Sequence, residues 1–368
     1  MKTIFSIYFI FCAAFVLNAQ HEKKYPNSNS STNSQTNSNS TVESKKEEVF
    51  SLESRDNKIS TNSKAYASAL SQFKFNYNLM QINTDRKSFN EGEVSVLNKQ
   101  LEVLKKYDAE GFEYAFNYYL AGNFDTDRYS FLKKAEKLQP KNNQVMEELL
   151  GYHLLMGNSA EVDKYYNSLI KRNHFSKAVL DYAKDVAQCI PNNAIVITHG
   201  EKDTYPVYKA LKAKAKNVTL VNLDFLTSET YRDLLKRKGV KLPNGSKIDT
   251  KYFNELCTLN TKVYVAMSLP QSYLREVKNK VNTYGLLYAY NQAENGVENG
   301  VLWKSMSKDI LKEDASLALR LSANYIPVLI SYYKVADEQI QKELKESLRK
   351  ILKGIGKEEK LDKILDVE

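Results

Sequence analysis

Between residues 190 and 291 the chain changes its period. Four short apolar runs, AIVIT (194–198), VTLVNL (218–223), KVYVA (262–266) and GLLYAY (285–290), are rich in β-branched or aromatic residues. Helical patterns separate them: VYKALKAKAK, SETYRDLLKRKG and QSYLREVKNKV. Strand–helix–strand alternation of this kind specifies a parallel sheet covered by helices. The α/β module predicted here spans 189–306.

Residues 64–188 carry a helical period instead. Leu97, Leu101 and Leu104 fall on one helix face. Two stretches then share a layout. In FNYYLAGNFDTDRYSFLKKAEKLQP a helix precedes Ala121-Gly122, a second carries Leu132 and Ala135, and Pro140 ends it. In LLGYHLLMGNSAEVDKYYNSLIK, Leu150 and Gly151 sit on the first helix, Gly157-Asn158 turns the chain, and Tyr165, Tyr166 and Leu169 lie on the second. These are degenerate tetratricopeptide-like hairpins, which bury their faces only by stacking. After 307 the chain is helical again to 368. LALRLSANYIPVLISYY reads as a buried helix bent near Pro327, and Ile340, Leu344, Leu348 and Ile351 form an apolar stripe. The expected fold class is therefore α/β plus α: helical hairpins, a small parallel-sheet α/β module, then C-terminal helices.

The N-terminus reads as an export signal. Lys2 precedes an apolar core of about 14 residues, and Ala19 offers a small residue before Gln20. That core is shorter than the roughly 17–25 residues of a spanning helix, so 1–19 is taken as a cleaved signal peptide. No small-residue lipobox accompanies Cys12. Residues 20–63, dominated by Ser, Asn and Thr with few apolar residues, read as a disordered linker. The mature protein is expected in the periplasm or outside the cell. Cys189 and Cys257 then remain, too few for a disulfide framework, and whether they pair stays open. The net charge of +9 is spread over Lys clusters alternating with Glu. It carries no aromatic-basic nucleic-acid motif, so nucleic acid is not an expected partner.

The loop after the first strand, THGEKDTYP, gathers a His, a Gly, two acids and a Lys. Ligands of open α/β sheets bind beyond the carboxyl ends of the strands. His199, Asp203 and Asp224 are the candidates for acid-base chemistry, and Gly200, Glu201, Thr204, Tyr205, Ser268 and Gln271 for ligand contact; Asn291 follows the fourth run. The structural alternative is that Asp203 or Thr204 caps the following helix, with Pro206 in its first turn. His199 has no second His at ligand spacing, and one glycine makes no phosphate loop. No metal and no cofactor is expected.

The stretches GEKDTYP, VTLVNLDFLTSETYRDLLKRKGV and KVYVAMSLPQSYLREVKNKVNTYGLLYAY resemble the soluble C-terminal region of certain large Bacteroidetes membrane proteins. These are glycosyltransferase-C-like proteins of the family that includes the eukaryotic protein O-mannosyltransferases. Gly200, Asp203, Thr204, Tyr205 and Pro206 match the family's Gly-Asp-Asn-Asp-Thr-Tyr/Phe-Pro turn. Val221, Asn222, Leu223 and Leu226 match its second strand, and Gly285, Leu286 and Tyr288 its last. Glu201 and Lys202 replace the family's first Asp and its Asn. The multi-spanning part that carries glycosyl transfer in that family has no counterpart in these residues. The resemblance therefore implies fold and compartment, not transferase activity.

Two functions follow as expectations. The first is an exported, non-catalytic scaffold binding a partner protein or peptide in the cell envelope, its tyrosines supplying contact area. The alternative is an envelope enzyme or a receptor for a small, glycan-like ligand in the crevice around His199, Asp203 and Asp224.

Overall fold

The computed structural model describes residues 46–366. The stretch read as a signal peptide, 1–19, lies outside them, as does the stretch read as a linker up to residue 45. The first helix, α1 (Lys46–Gln81), begins inside the stretch read as linker. The Ser/Asn/Thr bias fades after Thr41, and the Glu- and Lys-containing sequence that follows suits a helix better.

Six helices form three hairpins: α1 with α2 (Glu91–Asp108), α3 (Phe112–Leu120) with α4 (Tyr129–Leu138), and α5 (Asn143–Met156) with α6 (Ser159–Lys171). Local chemistry sets their starts. Asn90 and Glu93 form a reciprocal capping box on α2, and Asn142 and Asn158 cap α5 and α6. Leu97, Leu101 and Leu104 are buried, as are Leu132, Leu150, Tyr165, Tyr166 and Leu169. Each helix packs on its hairpin partner, and successive hairpins touch through α2 with α3 and α4 with α5.

α7 (Lys177–Cys189) leads into the sheet and packs on α8 (Glu201–Ala213). Five strands follow: β1 (Ala194–Thr198), β2 (Val218–Asn222), β3 (Val263–Ala266), β4 (Val281–Tyr284) and β5 (Leu287–Tyr290), in the order β2-β1-β3-β5-β4. α9 (Glu229–Arg237) and α10 (Thr250–Leu259) cross from β2 to β3, and α11 (Gln271–Val277) follows β3. β2, β1 and β3 are parallel, with Ala194 opposite Val218 and Ile195 opposite Val263. β3 and β5 are buried along their length, as sheet interiors covered on both faces are.

The fourth apolar run departs from the parallel expectation. Its strand runs antiparallel to β3 and forms a hairpin with β4, a strand the apolar pattern does not reveal. Gly285 makes the tight turn at φ +56°, and a side chain there would also meet Cys189 Sγ at 2.5 Å. Buried Asn299 holds the turn, accepting from the Gly285 N–H at 2.7 Å and donating to Thr283 O and Ser331 Oγ. Cys189 and Cys257 are both buried free thiols, so the pairing left open from sequence is not made. Burial pushes the Cys189 thiol up to about 12, which keeps it protonated.

The C-terminal helices α12 (Gly296–Ser305), α13 (Ser316–Ser322), α14 (Ile326–Tyr333), α15 (Glu338–Gly354) and α16 (Leu361–Leu365) close the fold. The helix expected to bend at Pro327 is two helices, α13 and α14, joined by a 3₁₀ turn at Ala323–Tyr325. Pro327 stands at the start of the second, where its missing N–H costs little. Leu344, Leu348 and Ile351 of α15 are buried as their spacing requires. No helix among the described residues is long and apolar enough to cross a membrane.

Candidate functional site

The chain runs from β1 outward to β2 and then back across β1 to β3. The loops leaving β1 and β3 therefore diverge and leave a crevice at the strands' carboxyl ends. The space measures about 180 Å³. His199, Gly200, Glu201, Lys202 and Tyr205 line it after β1, Asn222, Asp224 and Phe225 after β2, and Leu269, Pro270 and Gln271 after β3. The N-terminal helices roof it. Tyr77, Asn78 and Gln81 come from α1, Lys87 from the loop after it, Phe124 from the α3–α4 loop, and Glu147 and Glu148 from α5.

The turn after β1 is fixed from several sides. Gly200 has φ +66° and ψ 163°, a region open essentially to glycine alone. Its N–H donates to Asp224 Oδ2 at 2.6 Å. The His199 N–H donates to Asp203 Oδ2 at 3.3 Å, so the acid straps the turn from within the helix. Helix α8 starts at Glu201 with Gly200 as its cap, which corrects the expectation that Asp203 or Thr204 caps it. Asp203 is the helix's third residue, and Pro206 lies past its first turn. Thr204 instead shares a hydrogen bond with Thr198 at 2.9 Å and accepts from Asn222 Nδ2 at 2.8 Å, tying β1, β2 and α8 together. Asn222 Oδ1 in turn accepts from the Asp224 N–H at 2.7 Å.

The three acid-base candidates meet here, but each is engaged by its own chain. His199 is buried, and its Nε2–H donates to Ser268 O at 2.8 Å. Burial and then the Lys87 ammonium push its pKa down to about 4, so at neutral pH Nδ1 carries no proton. Asp203 is buried behind the lining, and burial raises its pKa to about 6. The Ser268 hydroxyl moderates that rise without forming a hydrogen bond. For Asp224 burial alone would raise the pKa. The Lys87 ammonium, 2.7 Å from Oδ1, and the Gly200 N–H hold it at about 2.

Of the residues expected to contact a ligand, Gly200, Glu201, Tyr205 and Gln271 line the crevice, while Thr204 and Ser268 are buried beneath it. Asn291 is elsewhere. β5 is antiparallel to β3, so its carboxyl end faces the opposite edge of the sheet. The roof residues Lys87, Glu147 and Glu148 carry no local sequence signal. No group of His, Cys, Asp and Glu able to hold a metal ion occurs among the described residues.

Residues 179–357 match the model of the family described as TMEM260-associated domain 2, a family linked to protein O-mannosyltransferase-like proteins. The match covers most of α7, the whole sheet and the helices through α15, and leaves the three hairpins outside. The motifs of the β1 turn, of β2 and of β5 lie within it. No curated protein matches the chain, and no solved structure does.

Proposed function

We propose that the protein is an exported, non-catalytic adaptor of the bacterial cell envelope. Its tetratricopeptide-like hairpins and α/β module together hold a partner protein or peptide, in the periplasm or at the cell exterior. One observation carries this reading: the two carboxylates are committed to N–H groups and to Lys87, and His199, tied through Nε2 and held near a pKa of 4, is a weak base at neutral pH. His199 bonds Ser268 O, Asp203 bonds the His199 N–H, and Asp224 bonds both the Gly200 N–H and Lys87. A general base works best with a pKa near the operating pH, which none of the three has with a free atom in the crevice.

The test is affinity capture of the tagged mature protein from gently solubilised envelopes, with Asp203→Asn run beside it. One stoichiometric partner, kept by the variant, is the expected result. The second reading, an envelope enzyme or small-ligand receptor, draws on the crevice's place at the strand ends, with His199 and Asp224 in its lining. A bound small molecule, lost by a still-folded Asp203→Asn, with no protein captured, would favour it over the adaptor.

A further inference from the structure

The end of the sheet opposite the crevice carries a row of lysines. β1, β2 and β3 start in register there, with Ala194 opposite Val218 and Ile195 opposite Val263. β5 runs antiparallel to β3 and pairs Tyr290 with Val281, so β5 ends and β4 starts at the same edge. The chain entering β2 reads Lys-Ala-Lys-Asn (214–217), that entering β3 ends in Lys262, and that entering β4 reads Lys-Asn-Lys (278–280). Cross-strand bonds hold these residues in line. The Ile195 N–H donates to Lys262 O at 3.0 Å, the Asn291 N–H to Lys280 O at 2.6 Å, and the Asn193 N–H to Asn217 O at 2.6 Å. With strands about 4.8 Å apart, the row runs roughly 20 Å from β2 to β4.

Its charge is uncompensated. Lys214, Lys262, Lys278 and Lys280 are exposed, and Lys216 is half-buried. Lys214 bonds the Gln188 amide oxygen, Lys216 the carbonyls of Ala187, Gln188 and Ile190, and Lys280 Asn254 Oδ1, all neutral acceptors. Among the described residues none of the five is paired with a carboxylate. Just upstream on α8, by contrast, Lys209 and Lys212 both close on Asp163. The segments at this edge, 190–193, 214–217, 260–262, 278–280 and 291–295, hold a single acid, Glu294, and no arginine. Lys262 also takes a backbone conformation that lysine rarely adopts. Its φ is +52°, like those of Asn193 (+60°) and Asn291 (+51°), which flank it at β1 and β5. Asparagine tolerates that region far better than a long side chain, so local folding does not account for a lysine there.

We propose that this edge docks the protein on a bilayer surface rich in anionic headgroups. Lysine ammonium groups are point charges on flexible stems; without arginine's planar fork they answer to a field rather than to one bound shape. An extended anionic surface engages the whole row at once, each lysine adding about fivefold to binding. Docking this way leaves the crevice, at the carboxyl ends of β1 to β3, facing away from the bilayer. The proposal stands apart from the adaptor reading, since it needs no particular partner.

The test is co-sedimentation of the mature protein with phosphatidylcholine vesicles, with and without about 30% phosphatidylglycerol. Binding should require phosphatidylglycerol and fall about tenfold between roughly 20 and 150 mM salt. Lys262→Asn should weaken it about fivefold while keeping or raising the urea midpoint, which loss of a lysine needed for the fold would lower. Lys278→Gln with Lys280→Gln should weaken it about 25-fold. Lys342→Gln with Lys350→Gln removes the same charge from exposed positions of α15 and should leave binding within about twofold. Equal sedimentation with pure phosphatidylcholine, or equal weakening by the α15 pair, would overturn the proposal. Displacement by millimolar inorganic phosphate at constant ionic strength would also overturn it, assigning the row to a small anion. Tighter binding to polyglutamate than to the vesicles would do the same in favour of an acidic polypeptide.

Discussion

His199 and Asp203 are buried together, joined through the His199 N–H, and they respond to pH in opposite senses. Asp203 titrates near 6 in the fold against 3.8 in an open chain, so it adds stability as pH falls from about 6 towards 4. His199 titrates near 4 in the fold against 6.5, so its contribution is present above 6.5 and is lost as pH falls towards 4. Across that window the two offset each other. Removing one exposes the other. Asp203→Asn keeps an oxygen for the His199 N–H, so it should match or exceed the parent's stability at neutral pH. Between pH ~6.5 and ~4.5 it should lose on the order of 2 kcal/mol relative to the parent. His199→Gln should move the opposite way by a similar amount. Urea midpoints at the two pH values measure both, and variants that shift in the same direction would refute the opposed burial.

At the scale of elements, Gly151 joins the hairpins to the α/β module, where α5 meets Tyr205 of α8. Alanine in a helix interior is ordinarily better than glycine by about 1 kcal/mol. Here the sign should reverse. Gly151→Ala should cost about 1–3 kcal/mol through the clash with the phenol oxygen. In a Tyr205→Phe background most of that cost should vanish, and a double-mutant cycle in urea reads the coupling directly. The same elements show what the sequence reveals and what it withholds. Apolar runs of β-branched residues mark β1, β2 and β3, and helical spacing marks the hairpins. β4 escapes because it is an edge strand with only Val281 buried. The direction of β5 escapes because residue periodicity carries no polarity, although a glycine between two short strands is itself a hairpin signal. The strand-end rule finds His199, Gly200, Asp224 and Gln271. It cannot find Lys87, Glu147 or Glu148, which reach the crevice only through the way hairpins and sheet pack. Asp203 resembles a cap in sequence, but Gly200 turns the chain so sharply that the helix has already begun.

For the whole molecule, the loop after α1 fastens the N-terminal helices to the sheet. Lys87 donates its N–H to Ile248 O at 2.7 Å, and its carbonyl accepts from Asn123 Nδ2 at 3.0 Å. Ser88 Oγ donates to Ser246 O and accepts from the Ile248 N–H, both at 3.0 Å. The ammonium of Lys87 completes the seam on Asp224, whose other oxygen holds the Gly200 turn. A matching seam lies at the far end, where buried Asp185 of α7 accepts from the N–H groups of Ser307 and Lys308 and from the Tyr325 hydroxyl, anchoring the C-terminal helices. The first seam is open to a clean test. Lys87→Met keeps the stem of the side chain but leaves Asp224, 18% exposed, a largely enclosed charge without its partner. Breaking a buried pair from one side costs about 3–5 kcal/mol, more than the pair itself contributes, and partial exposure puts this one at the lower end. Lys87→Met should therefore lose stability on that scale at neutral pH. Because the Asp224 pKa then climbs from about 2, part of the loss should return as the solution is made mildly acidic. Adding Asp224→Asn, which can still accept from the Gly200 N–H, should restore most of the stability at neutral pH. If the double variant is no more stable than Lys87→Met, backbone contacts alone hold the hairpins to the sheet, and the ion pair adds nothing to that junction.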